Sequence, residues 1–366
     1  MADEMREPDG RHMSRRQFVK GTSQAAAGVA LGLSALGQEG SVRSAGRPRV
    51  VRSCDQNATW WDYQSNYYFD FIDQAAVDAM FLEALMALTG ATTAAKACEL
   101  LIRNYQPGDK VAIKINLNNN ANQSNQIDAT APVINAVLLA LISYRGVPPQ
   151  DIYVYDVSRP IPSFRIRNRV LWNVNYVQSG DSLAQADPNA PIHFRYIATQ
   201  YCPYVLSQAE HLIDLCLFKD HLYVLATMGM KNHFGTTRPG PSYLHSPINE
   251  NLSDLNATPQ IRYKTRLIVG DALFGVYTGG PYGEPQPWET FPGGRTPNSI
   301  FLGFDPVATE SVMIDYLIAE QVHHGIPLLS HDYLHDAMST HHLGWHEHRD
   351  ANGRYRVIEY VELDLT

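Results

Sequence analysis

Two lysine–histidine segments carry the chemistry this chain most plainly suggests. Lys219-Asp220-His221 is followed ten residues later by Lys231-Asn232-His233-Phe234-Gly235. Brought together by one hairpin-like unit, two ammonium groups and two imidazoles make a polar, partly cationic pocket. Such a pocket favours an anionic group, and a histidine beside it transfers protons near neutral pH. His221, His233 and Lys231 are therefore candidate catalytic groups, with Lys219 and Asn232 as ligand contacts. Taken singly, each residue is as well explained by a satisfied core histidine or a solvated lysine. The clustering is what favours a site.

Three further motifs follow apolar runs. Lys114-Ile115-Asn116 closes one run and opens a segment in which six of the ten residues from 116 to 125 are Asn. Amide groups offer uncharged donors and acceptors suited to sugar hydroxyls, phosphate or a hydrated ion, and they equally serve turn geometry. Lys114 and Asn116 are expected ligand contacts. Asp156-Val157-Ser158-Arg159 follows the next run. There Asp156 would hold a metal or orient a base, or else cap the following helix. It joins the candidate catalytic set, and Arg159 joins the ligand contacts, as does Asp271 at the end of Arg266–Asp271. Eight of the fourteen histidines lie between 323 and 348. His331 and His335, four apart, would share a helix face and chelate Zn²⁺ or a similar divalent metal. No HExxH motif accompanies them, and an exposed polar helix explains them equally well.

These motifs need strands and helices to hold them. Apolar β-branched runs predict strands at 49–53, 110–117, 151–157, 192–197, 211–218, 266–271 and 298–303. Helical spacing predicts helices at 73–88, 92–104, 131–144, 221–231 and 305–321. Asp305 caps the last of these, with Pro306 in its first turn. The aromatic stretch Trp60, Trp61, Tyr63, Tyr67, Tyr68, Phe69 and Phe71 is read as a lid or ligand-facing loop, or as packing. The Gly/Pro-rich loop 275–298 is expected to be functional. Strands alternating with helices predict an α/β fold with a mostly parallel sheet flanked by helices, as a single large domain or two closely packed lobes. In such sheets ligands bind at the carboxyl ends of the strands, where the polar motifs fall.

Composition narrows the partners. The 366 residues hold 29 Lys+Arg and 37 Asp+Glu, a net charge of −8, with 45% hydrophobic residues. This excludes a disordered chain and argues against nucleic acid, which requires a basic face. Ser14-Arg15-Arg16-Gln17-Phe18-Val19-Lys20, followed by the Ala/Gly/Leu run 25–36, reads as a twin-arginine export signal over residues 1–45. The run is too short to span a bilayer, which takes about 20 apolar residues. The signal holds six basic and five acidic residues, so the remainder carries −9. The expected partners are the twin-arginine translocase during export and a small-molecule ligand, with no nucleic acid and no membrane span after processing. The expected location is periplasmic or otherwise extracytoplasmic. Cys54, Cys98, Cys202 and Cys216 show no CxxC pairing.

At these motifs the sequence resembles the family known as domain of unknown function 362 (DUF362). The resemblance rests on the strand 111–116, Leu217-Phe218-Lys219-Asp220-His221, Lys231-Asn232-His233-Phe234-Gly235, Val269-Gly270-Asp271-Ala272 with Gly279-Gly280-Pro281, and Asp305-Pro306-Val307-Ala308. It covers about 105–320, which sets expected boundaries: a signal over 1–45, an α/β domain over 46–320 and a His-rich extension over 321–366. Some relatives carry ferredoxin-like cysteine motifs. The scattered cysteines here depart from them, so no iron–sulfur cluster is expected; the cofactor is otherwise open, with a divalent metal as one candidate. The family's turn usually has an apolar residue before Phe-Gly, where this chain has His233. No nucleophile elbow, P-loop or dinucleotide fingerprint appears. The functional expectation is an exported enzyme acting on a small anionic or polar ligand in a Lys/His/Asp pocket, with or without the assistance of a metal; the alternative is a non-catalytic ligand- or metal-binding protein of the cell envelope.

Overall fold

The structure is a computed structural model that describes residues 46–118, 124–292 and 294–366. The signal segment 1–45 and Asn119, Asn120 and Asn122 lie outside the described residues. The described chain is an α/β domain. Its strands are β1 (Arg49–Cys54), β2 (Val111–Ile115), β3 (Ile152–Asp156), β4 (Asn175–Gln178), β5 (Ala186–Ile192), β6 (Gln200–Pro203), β7 (His211–Asp220), β8 (Ala226–Thr227), β9 (Thr265–Val276), β10 (Ser299–Gly303) and β11 (Glu359–Asp364). Its principal helices are α1 (Gln74–Thr89), α2 (Ala94–Leu101), α3 (Ala131–Leu138), α4 (Gly229–Asn232), α5 (Ile248–Ala257), α6 (Pro306–His323) and α7 (Asp332–Ser339).

The main sheet runs β11-β1-β10-β9-β7-β2-β3-β4, with β8 paired beside β7. Along that path only β10 runs against the others. The central strands β2, β3 and β7 are buried at every position, which is why they read as apolar runs rather than as an alternation. On one face Ile113, Ile115, Val154, Ile213, Leu215, Leu217 and Val269 join residues of α1, α2 and α3 in the apolar core. Register places Lys114 beside Tyr155 on one side and Asp214 on the other, so these three share the opposite face. There α4 and α6 pack, with Met313 of α6 against Gly270.

Local chemistry fixes the helix ends. Asp73 caps α1 by accepting from Ala75 N (2.7 Å) and Ala76 N (3.1 Å), and Gly90, at φ 72°, ends it in the left-handed conformation open to glycine. Asp305 caps α6 through Val307 N and Ala308 N, both at 2.9 Å, with Pro306 following as expected.

Several expected elements are corrected. The run 192–197 is not a strand: β5 ends at Ile192 and pairs with β6 in a separate two-stranded sheet. Arg195, inside that run, turns instead to Asp254, its Nε 2.7 Å from Oδ1. The expected helix 221–231 is a loop, the short β8 and only one turn of helix, because Lys219 and Asp220 pair with Thr227 and Ala226. The loop expected from 275 starts later, since β9 continues through Val276. The aromatic stretch mostly packs: Trp61, Tyr68 and Phe69 are buried, and Trp61 and Tyr68 meet Phe274 edge-on. The residues after 320 extend the sheet by placing β11 beside β1. All four cysteines are buried and unpaired. Among the described residues no single helix is long and apolar enough to cross a membrane; α1 and α2 together pass by length and composition, but they are bent by 68° and buried residues of both lie in the core.

Candidate functional site

The carboxyl ends of β2, β3 and β7 lie side by side because these strands are parallel neighbours. They bring Lys114, Asn116, Asp156, Lys219 and Asp220 to one edge, and the turn after β8 carries Lys231, Asn232 and His233 onto it. Lys114 is fully occupied there. Its Nζ donates to Asp156 Oδ2 (2.9 Å), Ile115 O (2.6 Å) and Asn232 Oδ1 (3.1 Å). Asn232 also accepts from Asn116 Nδ2 (3.1 Å) and donates to Asp214 Oδ1 (2.6 Å) and Leu215 O (3.1 Å). It thus clasps β2 to β7. The turn closes over the ion pair only because residue 235 is glycine: a Cβ there would lie 2.6 Å from Asp156 Oδ2 and 2.8 Å from Lys114 Nζ.

Lys219 differs from Lys114. It is fully buried, yet among the described residues its Nζ has no hydrogen-bond acceptor. Burial pushes its ammonium down to about 8, against the pull of Asp128, Asp220 and Asp156. Lys231 is pushed further, to about 7, by burial and by repulsion from Lys219. Its Nζ sits 4.2 Å above the Phe234 ring. Burial of an unpaired charge disfavours the charged form, and a second cation adds to the effect.

The two predicted imidazoles are held neutral. Burial, then Lys231, His245 and Lys219, push His221 down to about 2. Burial and Lys114 push His233 down to about 3. His221 Nδ1 accepts from Tyr223 N at 3.1 Å, so the neutral ring carries its hydrogen on Nε2. His221 stacks on His245 (5.8 Å between centroids), and Phe234 meets His245 edge-on at 5.2 Å. His233 Nε2 lies 3.7 Å from Asp214 Oδ2. Burial drives Asp214 up to about 8, so near neutral pH this contact is polar packing between two neutral groups rather than an ion pair.

Other predicted residues take different places. Asp271 accepts from Thr130 N (3.1 Å) and Oγ1 (2.7 Å) at the start of α3, and burial pushes it up to about 6. Arg159 turns back on Ser158 O at 3.2 Å. His331 sits at the position just before α7 instead of lying within it, and makes no side-chain capping bond; its ring meets His346 and His348, while His335 packs edge-on against His346 at 4.4 Å.

The structure also adds residues that the motifs did not single out. Asp214 interrupts the apolar run His211–Phe218, and that lone charge was the available signal. Glu310 of α6 accepts from Met230 N (2.6 Å) and Tyr333 Oη (2.5 Å). Burial raises it to about 7, with Lys231 opposing. Arg165 and Asp128 form a buried ion pair at 2.8 Å, which pins the segment ahead of α3 beside Lys219. The loop after β9 reaches back through Gly280 N to Asp220 Oδ1 (2.8 Å).

A comparison with curated proteins finds no match. A family model does match, from Val111 at the start of β2 to Asp315 in α6, taking in the whole lysine-bearing edge and leaving the His331–His348 group outside. With more than half of its length matched, the chain belongs to the family described as domain of unknown function (DUF362).

Proposed function

We propose that this chain is an exported enzyme that binds a small anionic ligand at the carboxyl ends of β2, β3 and β7 and moves a proton on it. Lys219 and Lys231 neutralise the anion, His221 donates a hydrogen bond from Nε2, and Lys231 exchanges the proton. Lys114, Asn116, Asn232 and Asp156 hold the frame. One observation carries the reading: Lys219 Nζ is fully buried without an acceptor among the described residues, next to a second buried lysine. A buried ammonium without partners is costly, and an anion supplies the acceptor that Lys219 Nζ lacks among the described residues. The ligand class follows from that charge, and a phosphate, sulfate or carboxylate group meets it equally.

A second reading, a non-catalytic binding protein, is favoured by the neutral state of His221 and His233. The two readings separate on Lys231→Met assayed against a panel of phosphomonoesters and carboxylates. An enzyme loses rate more than affinity, whereas a binder loses affinity alone.

The export reading is supported by Ser14–Lys20 and the apolar run after it. The twin-arginine translocase is the implied partner, and an extracytoplasmic location the implied destination. Residues 1–45 fused to a folded reporter should carry it out of the cytoplasm, and Arg15→Lys with Arg16→Lys should stop that. Unchanged export in the double variant would remove this part of the proposal.

A further inference from the structure

We propose a divalent-cation site of the zinc type, formed by His331, His346 and His348 and lying outside the family-matched region. One ligand nitrogen from each of these residues lies within 4.8 Å of the others. His331 Nε2 and His348 Nε2 are 2.9 Å apart. Donors about 2.0–2.1 Å from a tetrahedral zinc ion stand roughly 3.3 Å from one another, so small ring rotations complete the set.

The hydrogen bonds behind the rings fix which nitrogens face inward. Ser311 Oγ donates its one hydrogen to Val307 O at 2.7 Å. It must therefore accept from His346 Nδ1, which lies 2.7 Å away. His346 Nε2 is left with a lone pair, and it is buried without a hydrogen-bond partner among the described residues. His348 Nδ1 lies 2.5 Å from Asp315 Oδ1, so its Nε2 lone pair also points into the cluster. Asp315 is itself held by Arg349 N (2.9 Å) and Tyr355 Oη (2.8 Å) through Oδ2. The hydroxyl behind His346 and the carboxylate behind His348 are the arrangement that orients metal-binding histidines and raises their basicity. His348 is partly exposed, which leaves the fourth position to water.

The cation would join the C-terminal segment to the start of α7, with α6 behind the rings. Ser311 and Asp315 lie on α6 one and five residues beyond Glu310, which holds Met230 N behind the lysine site. The site is independent of the anion reading.

The test is a titration of the chelator-treated full chain with Zn²⁺ and with Co²⁺. The expected result is about one equivalent bound, with the absorption of four-coordinate Co²⁺ and a Zn²⁺-dependent rise in Tm. His346→Ala and His348→Ala should lose the Co²⁺ band, Asp315→Asn should weaken binding by about 10–100-fold, and His323→Ala should bind as the parent does. Because the exposed His348 position tolerates truncation, it decides the matter should His346→Ala fail to fold. Absence of Zn²⁺ binding by the parent chain, or unchanged affinity in His348→Ala, would overturn the proposal.

Discussion

Three buried lysines share this site, and their partners set them apart. Lys114 has three acceptors and serves the frame. Lys219 has none at Nζ among the described residues, and Lys231 rests over an aromatic face. The depressed values of Lys231 (about 7) and Lys219 (about 8) give a pH prediction with a definite sign. Below pH 7 both are ammonium in the free protein and anion affinity is at its fullest. As pH rises through 7 and then 8, each must take up a proton to bind, so affinity falls by up to about tenfold per pH unit per lysine. Sulfate keeps its charge over this range, so calorimetric sulfate titrations between roughly pH 6 and 9 isolate the protein's contribution; a flat profile would contradict the assignment. Protein stability is a poorer readout because the signs oppose. Lysines with lowered values add stability as pH rises toward their unfolded value, whereas Asp214, Glu310 and Asp271, all raised, lose it over the range below about 8. Lys219, Lys231 and His221 were legible from residue type and spacing. Asp214 was not given a role, because its place beside Lys114 depends on the register of β2 against β7, which sequence spacing does not contain.

At the scale of elements, caps and apolar runs were the readable part. Asp305-Pro306 marks the start of α6, and the cap also reaches Trp345 N through Oδ2 at 3.1 Å, tying the C-terminal loop to the helix. Asp305→Ala should lower stability by about 1–2 kcal/mol, read as a shift in denaturation midpoint at constant slope. A loss of only about a few tenths of a kcal/mol would mean the cap is replaceable. Continuous apolar runs gave β2, β3 and β7 because a parallel strand buried on both faces needs nothing else. The misread segments fail for a common reason. Local pattern at 192–197 and 221–231 gave way to tertiary partners, Asp254 for Arg195 and the pairing of β8 on β7. The histidine-rich segment was read as a helix face, whereas the chain brings His346 and His348 back to His331 from beyond α7.

For the molecule as a whole, an acidic body carries a buried cationic edge. Parallel strand order delivers Lys219 to the carboxyl end of the sheet, the β7–β8 pairing returns Lys231 to it, and α6 stands behind with Glu310. The same helix faces the histidine group through Ser311 and Asp315, so two chemically distinct sites share one support. The central claim is that the two buried lysines receive an anion. Calorimetric titration of the chain with sulfate near pH 6.5, set beside Lys219→Met, tests it most directly. Charge-assisted bonds of about 1.5–3 kcal/mol predict a loss of roughly 10–100-fold in affinity, while the variant keeps its fold because a buried, unpartnered charge has been replaced by an apolar chain of similar length. Sulfate binding that is undetectable in the parent chain, or equally tight in Lys219→Met, would contradict the account.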